Sequence, residues 1–131
     1  MVEMSSENQS GGFAERSVAA GYVIFREGQK ADTAYYLQSG TVENLKQGPA
    51  GNVVVSRLEP GALFGEMALI DYAPRSATAM AVTEVVLVPV ERAVFDAKLA
   101  EMDSFINKIF RTLIQNLRDT TKAAVDGTML P

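Results

Sequence analysis

The chain has 131 residues, with 12 Lys and Arg against 16 Asp and Glu, and it contains neither Cys nor His. That length provides for one domain with one core. The net charge of −4 repels a polyanion, which argues against a large DNA or RNA footprint. Without Cys and His there are no thiol nucleophiles, no disulfides, no zinc sites of the Cys/His kind and no Ser-His-Asp triad.

Met1 to Gly12 is polar and acidic, with no secretory signal, and residues 1–14 read as a disordered leader. The longest apolar-rich stretch, Ala77 to Val90, is interrupted by Thr78, Thr83 and Glu84. It is shorter than the roughly 20 apolar residues that span a bilayer. The expectation is a cytoplasmic protein with no membrane partner.

From Glu15 to Pro89 short β-branched and aromatic runs alternate with Gly and Pro turns. Val23-Ile24-Phe25 is the first predicted strand, followed by a turn at Arg26 to Gln29. Ala34 to Gln38 is the next, closed by Ser39-Gly40, with Thr41 to Lys46 expected as its hairpin partner. Gln47 to Asn52 has the composition of a loop. Val53 to Leu58, Ser76 to Ala81 and Glu84 to Val88 complete the predicted strands. This even spacing predicts a mainly β barrel or sandwich, an antiparallel β-roll over about 15–89.

The period then changes. Phe95, Leu99 and Met102 recur at helical spacing, so Glu91 to Met102 is a predicted amphipathic helix. Asp103 or Ser104 can cap a second helix, whose face carries Phe105, Ile106, Ile109, Phe110, Leu113, Ile114 and Leu117. Gly127 marks a point by which that helix has ended. One domain over 15–125 follows, barrel first and helices after. Ile106, Ile109, Leu113 and Leu117 approach the spacing of a coiled-coil seam, so a homodimer or a regulated protein partner is expected through this helix. Lys108, Arg111, Arg118 and Lys122 lie nearly opposite the apolar face, as a solvated face or a surface for an acidic partner.

The stretch that carries chemistry is Phe64-Gly65-Glu66-Met67-Ala68-Leu69 together with Pro74-Arg75-Ser76-Ala77-Thr78. Met67 to Ile70 is long enough for one helical turn, and the first N–H groups of such a turn have no internal partner and attract an anion. Glu66 sits at that turn, where a carboxylate accepts from hydroxyls. Arg75 offers a planar fork that pairs with phosphate and never loses its proton. One amide cradle, one carboxylate and one guanidinium suit a singly charged phosphodiester beside a sugar hydroxyl. A triphosphate would call for Lys, Mg²⁺ and a longer glycine loop.

This segment closely resembles the phosphate-binding cassette of the cyclic-nucleotide-binding domain family, which includes regulatory subunits of cAMP-dependent kinase, cyclic-nucleotide-gated channels and catabolite activator proteins. Gly21 to Gly28, Ala34 to Val42 and Leu58 to Gly61 resemble the family's early turn, its central hairpin and the approach to the cassette. The resemblance covers about 15–117. It implies a jelly-roll β-roll followed by two α-helices, with a short helical turn in the cassette. It also implies a ligand, cAMP or cGMP, bound by Gly65, Glu66, Met67, Arg75 and Ser76. Arg75 would pair with the exocyclic phosphate oxygens, Glu66 would accept from the ribose 2′-hydroxyl, and the Ser76 hydroxyl would reach phosphate or purine. A residue of the last helix would cover the base as a lid, with Leu113 and Arg118 the first candidates.

The chain departs from the family's pattern in two places. Little helix precedes the barrel, and Asn44 stands where relatives tend to carry a β-branched apolar residue. The expected function is a stand-alone sensor module with no catalytic residue, metal or cofactor. The alternative is a structural or interaction domain that keeps the fold without the nucleotide. A third reading makes the chain the effector half of a transcription factor or a channel tail, whose helix-turn-helix or transmembrane helix would then have been removed or lie on another chain.

Overall fold

A computed structural model describes residues 13–70 and 73–125, for residues 118 and 120–125 in their backbone only. The expected leader therefore lies largely outside the described residues. The chain divides into two compact units, residues 1–91 and 92–131.

The first unit holds eight antiparallel strands: β1 (Arg16–Val18), β2 (Val23–Phe25), β3 (Thr33–Ser39), β4 (Val42–Gly48), β5 (Gly51–Leu58), β6 (Leu63–Phe64), β7 (Thr78–Ala81) and β8 (Val85–Glu91). They form two four-stranded sheets, ordered β1-β8-β3-β6 and β2-β7-β4-β5. The core lies where their inner faces meet. Leu37, Val85 and Leu87 come from one sheet and Val42, Ala79 and Ala81 from the other, each 0–1% exposed. Phe25, Tyr35 and Phe64 close one part of this core as an aromatic cluster, with ring centroids 5.6–6.1 Å apart. Rings at these separations add favourable quadrupole contacts to their buried area.

The β-roll is as the sequence predicts, but the pairing of its strands is not. β4 is not the hairpin partner of β3. β3 pairs with β8 and β6, whereas β4 pairs with β5 and β7. The Ser39-Gly40 corner carries the chain from one sheet to the other. Gly40 has φ 90°, and a Cβ there would fall 2.6 Å from Val85 Cγ1, so only glycine passes so close to β8. The expected loop Gln47 to Asn52 is also mostly strand. β4 and β5 run on to Gly48 and Gly51, leaving Pro49-Ala50 as a two-residue turn. β1 and β6 were not expected, because runs of three and two residues are too short to show alternation. Val53, Val54 and Val55 are 51–53% exposed because β5 is the edge of its sheet.

The second unit consists of α1 (Arg92–Ala100) and α2 (Ser104–Val125). Asp103 caps α2: its Oδ1 accepts from the Phe105 N–H at 2.9 Å and from the Ile106 N–H at 3.3 Å. The Asn107 side-chain amide donates to the Leu99 carbonyl and ties the two helices together. Asp103→Ala is expected to destabilise the start of α2 by about 1 kcal/mol, roughly a fivefold change in its opening. Amide exchange at Phe105 and Ile106 measures this. No helix among the described residues is long and apolar enough to cross a membrane.

Candidate functional site

The cassette begins where β6 ends. Gly65 has φ 66° and starts a 3₁₀ turn, Glu66–Leu69. The first internal bond of this turn is the Ala68 N–H donating to the Gly65 carbonyl at 3.1 Å. The N–H groups of Glu66 and Met67 precede it and lie at the open end of the turn, as an anion cradle requires. Ala68 is buried, 2% exposed, and anchors the turn, while Glu66 and Met67 are half-buried.

Arg75 is held in place by its own backbone. Its N–H donates to the Gln29 carbonyl and its carbonyl accepts from the Gly28 N–H, both at 2.8 Å. This pair of bonds fastens the end of the cassette to the turn after β2. The side chain then runs inward and is only 8% exposed. Nη2 donates to the Thr33 carbonyl at 2.6 Å and Nη1 to the Gly65 carbonyl at 3.4 Å. The guanidinium carbon lies 4.0 Å from the centroid of the Phe25 ring and 5.9 Å from that of Tyr35. A cation over aromatic faces is attracted by their negative π-density.

The usual reading of a lone Glu and Arg in a sequence is a surface ion pair. Here Glu66 and Arg75 do not form one. Among the described residues the ion pairs are Arg57–Glu43 and Arg92–Asp96, and no carboxylate lies within salt-bridge distance of Arg75. Its Nε is buried without a hydrogen-bond partner among those residues. Burial pushes the Arg75 pKa below the ordinary guanidinium value, while Tyr35 and Asp32 oppose that shift. The site thus holds a desolvated cation supported by carbonyl dipoles and rings, with no ion-pair partner among the described residues. Such a cation gains most from an incoming anion.

The structure brings Gly65 and Arg75 into contact and sets Glu66 and Met67 on the turn beside them. Ser76 follows Arg75 and is exposed. Leu113, the first lid candidate, lies on α2 in the second unit and is 57% exposed. The side chain of Arg118, the other candidate, lies outside the described residues. Sequence reasoning missed Phe25, Tyr35 and the Thr33 carbonyl as the bed of Arg75. Alternation marks Phe25 as one-faced but does not say what it faces.

Residues 15–102 match the family model described as the cyclic nucleotide-binding domain. The chain is 29% identical over 107 residues to a CRP-like cAMP-activated global transcriptional regulator of Mycobacterium tuberculosis, covering 81% of this chain and 48% of that protein. It is 38% identical over 109 residues to a cyclic nucleotide-gated potassium channel of Mesorhizobium japonicum, covering 83% of this chain and 29% of the channel. Among solved structures, the EAL enzyme Bd1971 is similar in its cGMP-bound form, with TM-score 0.62 and 30% identity over 86% of this chain and 30% of that one. Its cAMP-bound form gives TM-score 0.61 and 28% identity, covering 84% of this chain and 30% of that one. The chain spans about half the length of the first of these curated relatives and less than a third of the second. On the match to the family model, the chain belongs to the cyclic nucleotide-binding domain family.

Proposed function

We propose that this chain binds a cyclic nucleotide, cAMP or cGMP, and acts as a regulatory module without catalysis of its own. Arg75 takes the exocyclic phosphate oxygens. The Gly65, Glu66 and Met67 backbone cradles the ring phosphate, the Glu66 carboxylate accepts from the ribose 2′-hydroxyl, and Ser76 completes the shell. The observation that carries this reading is the buried Arg75 guanidinium, which among the described residues has no ion-pair partner and whose Nε has no hydrogen-bond partner there, beside an open 3₁₀ turn. A phosphodiester supplies a single negative charge for this guanidinium to pair with.

In this reading α2 closes over the base, through Leu113 or Arg118, and changes the face offered to a second protomer or a regulated protein. Its exposed Ile106, Ile109, Leu113 and Leu117 suit such an exchange of partners. The ligand drives closure only to the extent that it binds the closed state more tightly than the open one. A cytoplasmic location follows from the nature of the ligand.

Titration calorimetry of the purified chain with cAMP and with cGMP tests the reading. Binding of at least one at micromolar Kd or tighter is expected. At a ligand concentration a hundred times Kd, unfolding should cost about 2.7 kcal/mol more than without ligand. Heat and melting curves unchanged by either nucleotide would leave a structural or interaction domain as the function.

A further inference from the structure

From Phe105 to Leu117, α2 has two chemically distinct faces. At about 100° per residue, Phe105, Ile106, Ile109, Phe110, Leu113 and Leu117 fall within one arc of about 140°. All six are 41–65% exposed, so no described residue buries this face.

The opposite arc is cationic. Lys108 and Arg111 are exposed and take part in no ion pair among the described residues. By position along the helix, Arg118 and Lys122 fall in the same arc of about 80°. Within Ser104–Val125 four Lys and Arg stand against the single Asp119, a net charge of +3 in a chain whose total is −4. The remainder of the chain therefore carries −7, and α2 is a basic segment in an acidic protein.

We infer that α2 docks on the surface of an anionic lipid bilayer, lying in the plane of the interface with its apolar arc turned to the acyl chains. This goes beyond the nucleotide-binding reading and does not depend on it. A coiled-coil partner covers a narrow seam of about two positions in seven. A seam along Ile106, Ile109 and Leu113 leaves Phe105 and Phe110 on its flanks, still facing water. A bilayer interface covers the whole arc at once, and Phe and Leu opposite Lys and Arg is the pattern of a helix that lies in it. Charge selects an anionic surface. Such a surface repels the acidic remainder of the chain and attracts α2, whose cations stay within a Debye length, about 8 Å, of the headgroups. An interfacial helix need not be apolar enough to cross, so the lack of a spanning helix among the described residues is compatible with it.

Co-sedimentation of the full chain with vesicles, without nucleotide, tests this. One set of vesicles is phosphatidylcholine alone and the other is equal parts phosphatidylcholine and phosphatidylserine. Binding to the mixed vesicles should be about tenfold stronger or more, and an ionic strength of about 1 M, where the Debye length is about 3 Å, should remove that preference. Lys108→Glu with Arg111→Glu should abolish the preference, and Phe105→Asp with Phe110→Asp should abolish binding to both. All four side chains are exposed, so both double variants should fold, which melting curves verify. A wild-type chain that stays in the supernatant overturns the inference, as does equal binding to the two kinds of vesicle. A folded phenylalanine variant that binds as wild type also overturns it. A wild-type dimer that ignores vesicles and dissociates in the phenylalanine variant gives the face to a second copy instead.

Discussion

Arg75→Ala is expected to weaken binding of the cyclic nucleotide by about 3 kcal/mol, somewhat over a hundredfold in Kd. The loss is this large because the guanidinium is the charged partner of the phosphate in a largely desolvated place, where truncation leaves the anion unpaired. The exposed Ser76 hydroxyl cannot replace it. The barrel itself should survive. The Thr33 carbonyl loses its 2.6 Å donor, but a buried cation is also removed, and the two effects oppose each other. Arg75→Lys keeps the charge without the fork that reaches the Thr33 and Gly65 carbonyls together, so its affinity should fall between wild type and alanine. Calorimetry with each nucleotide, beside melting curves without ligand, separates affinity from folding. An alanine variant that is folded and binds as wild type would show that the phosphate is held elsewhere.

Gly65→Val is expected to damage both stability and binding. Gly65 has φ 66°, a left-handed conformation that costs an L-residue roughly 1–2 kcal/mol and suits a β-branched one least. A Cβ built there lies 2.7 Å from Arg75 Nη1 and 3.2 Å from Phe25 Cε2, so the guanidinium must shift and the core phenyl must give way. Overpacking of this kind costs roughly 1–3 kcal/mol. The two together predict a loss of about 3 kcal/mol in denaturant unfolding and nucleotide binding reduced at least as much as in Arg75→Lys. Gly65→Ala should show the same pattern to a smaller degree. Wild-type stability in the valine variant would mean that the turn does not need its left-handed start.

Much of this protein is legible without coordinates. The β-branched and aromatic runs of β2, β3, β5 and β8 and the 3.6-residue period of α1 and α2 are local signals, because each residue's conformational preference acts within a few neighbours. The helix bounds come within two residues, and the cap of α2 is narrowed to Asp103 or Ser104, of which the structure uses Asp103. The chemistry of the site is also local. Gly65, Glu66 and Arg75 stand out because a turn, a carboxylate and a guanidinium close together in a chain without His or Cys leave few alternatives.

Strand pairing is different, because it is settled by burial between segments distant in sequence. Nothing in residues 33–48 shows that β3 and β4 belong to opposite sheets; the close passage of Gly40 past Val85 decides it. Nor does Arg75 reveal by itself that its charge rests on Phe25, 50 positions earlier in the chain. Asn44 makes the same point. By sequence it is a polar residue in an apolar pattern, and only the register that sets it opposite the core residue Ala79 shows that it faces inward. Sequence determined the elements and the reactive groups, since those follow from side-chain chemistry and local backbone preference. Tertiary structure decided which groups meet and how dry their meeting place is, since both depend on pairing two sheets whose strands are interleaved along the chain.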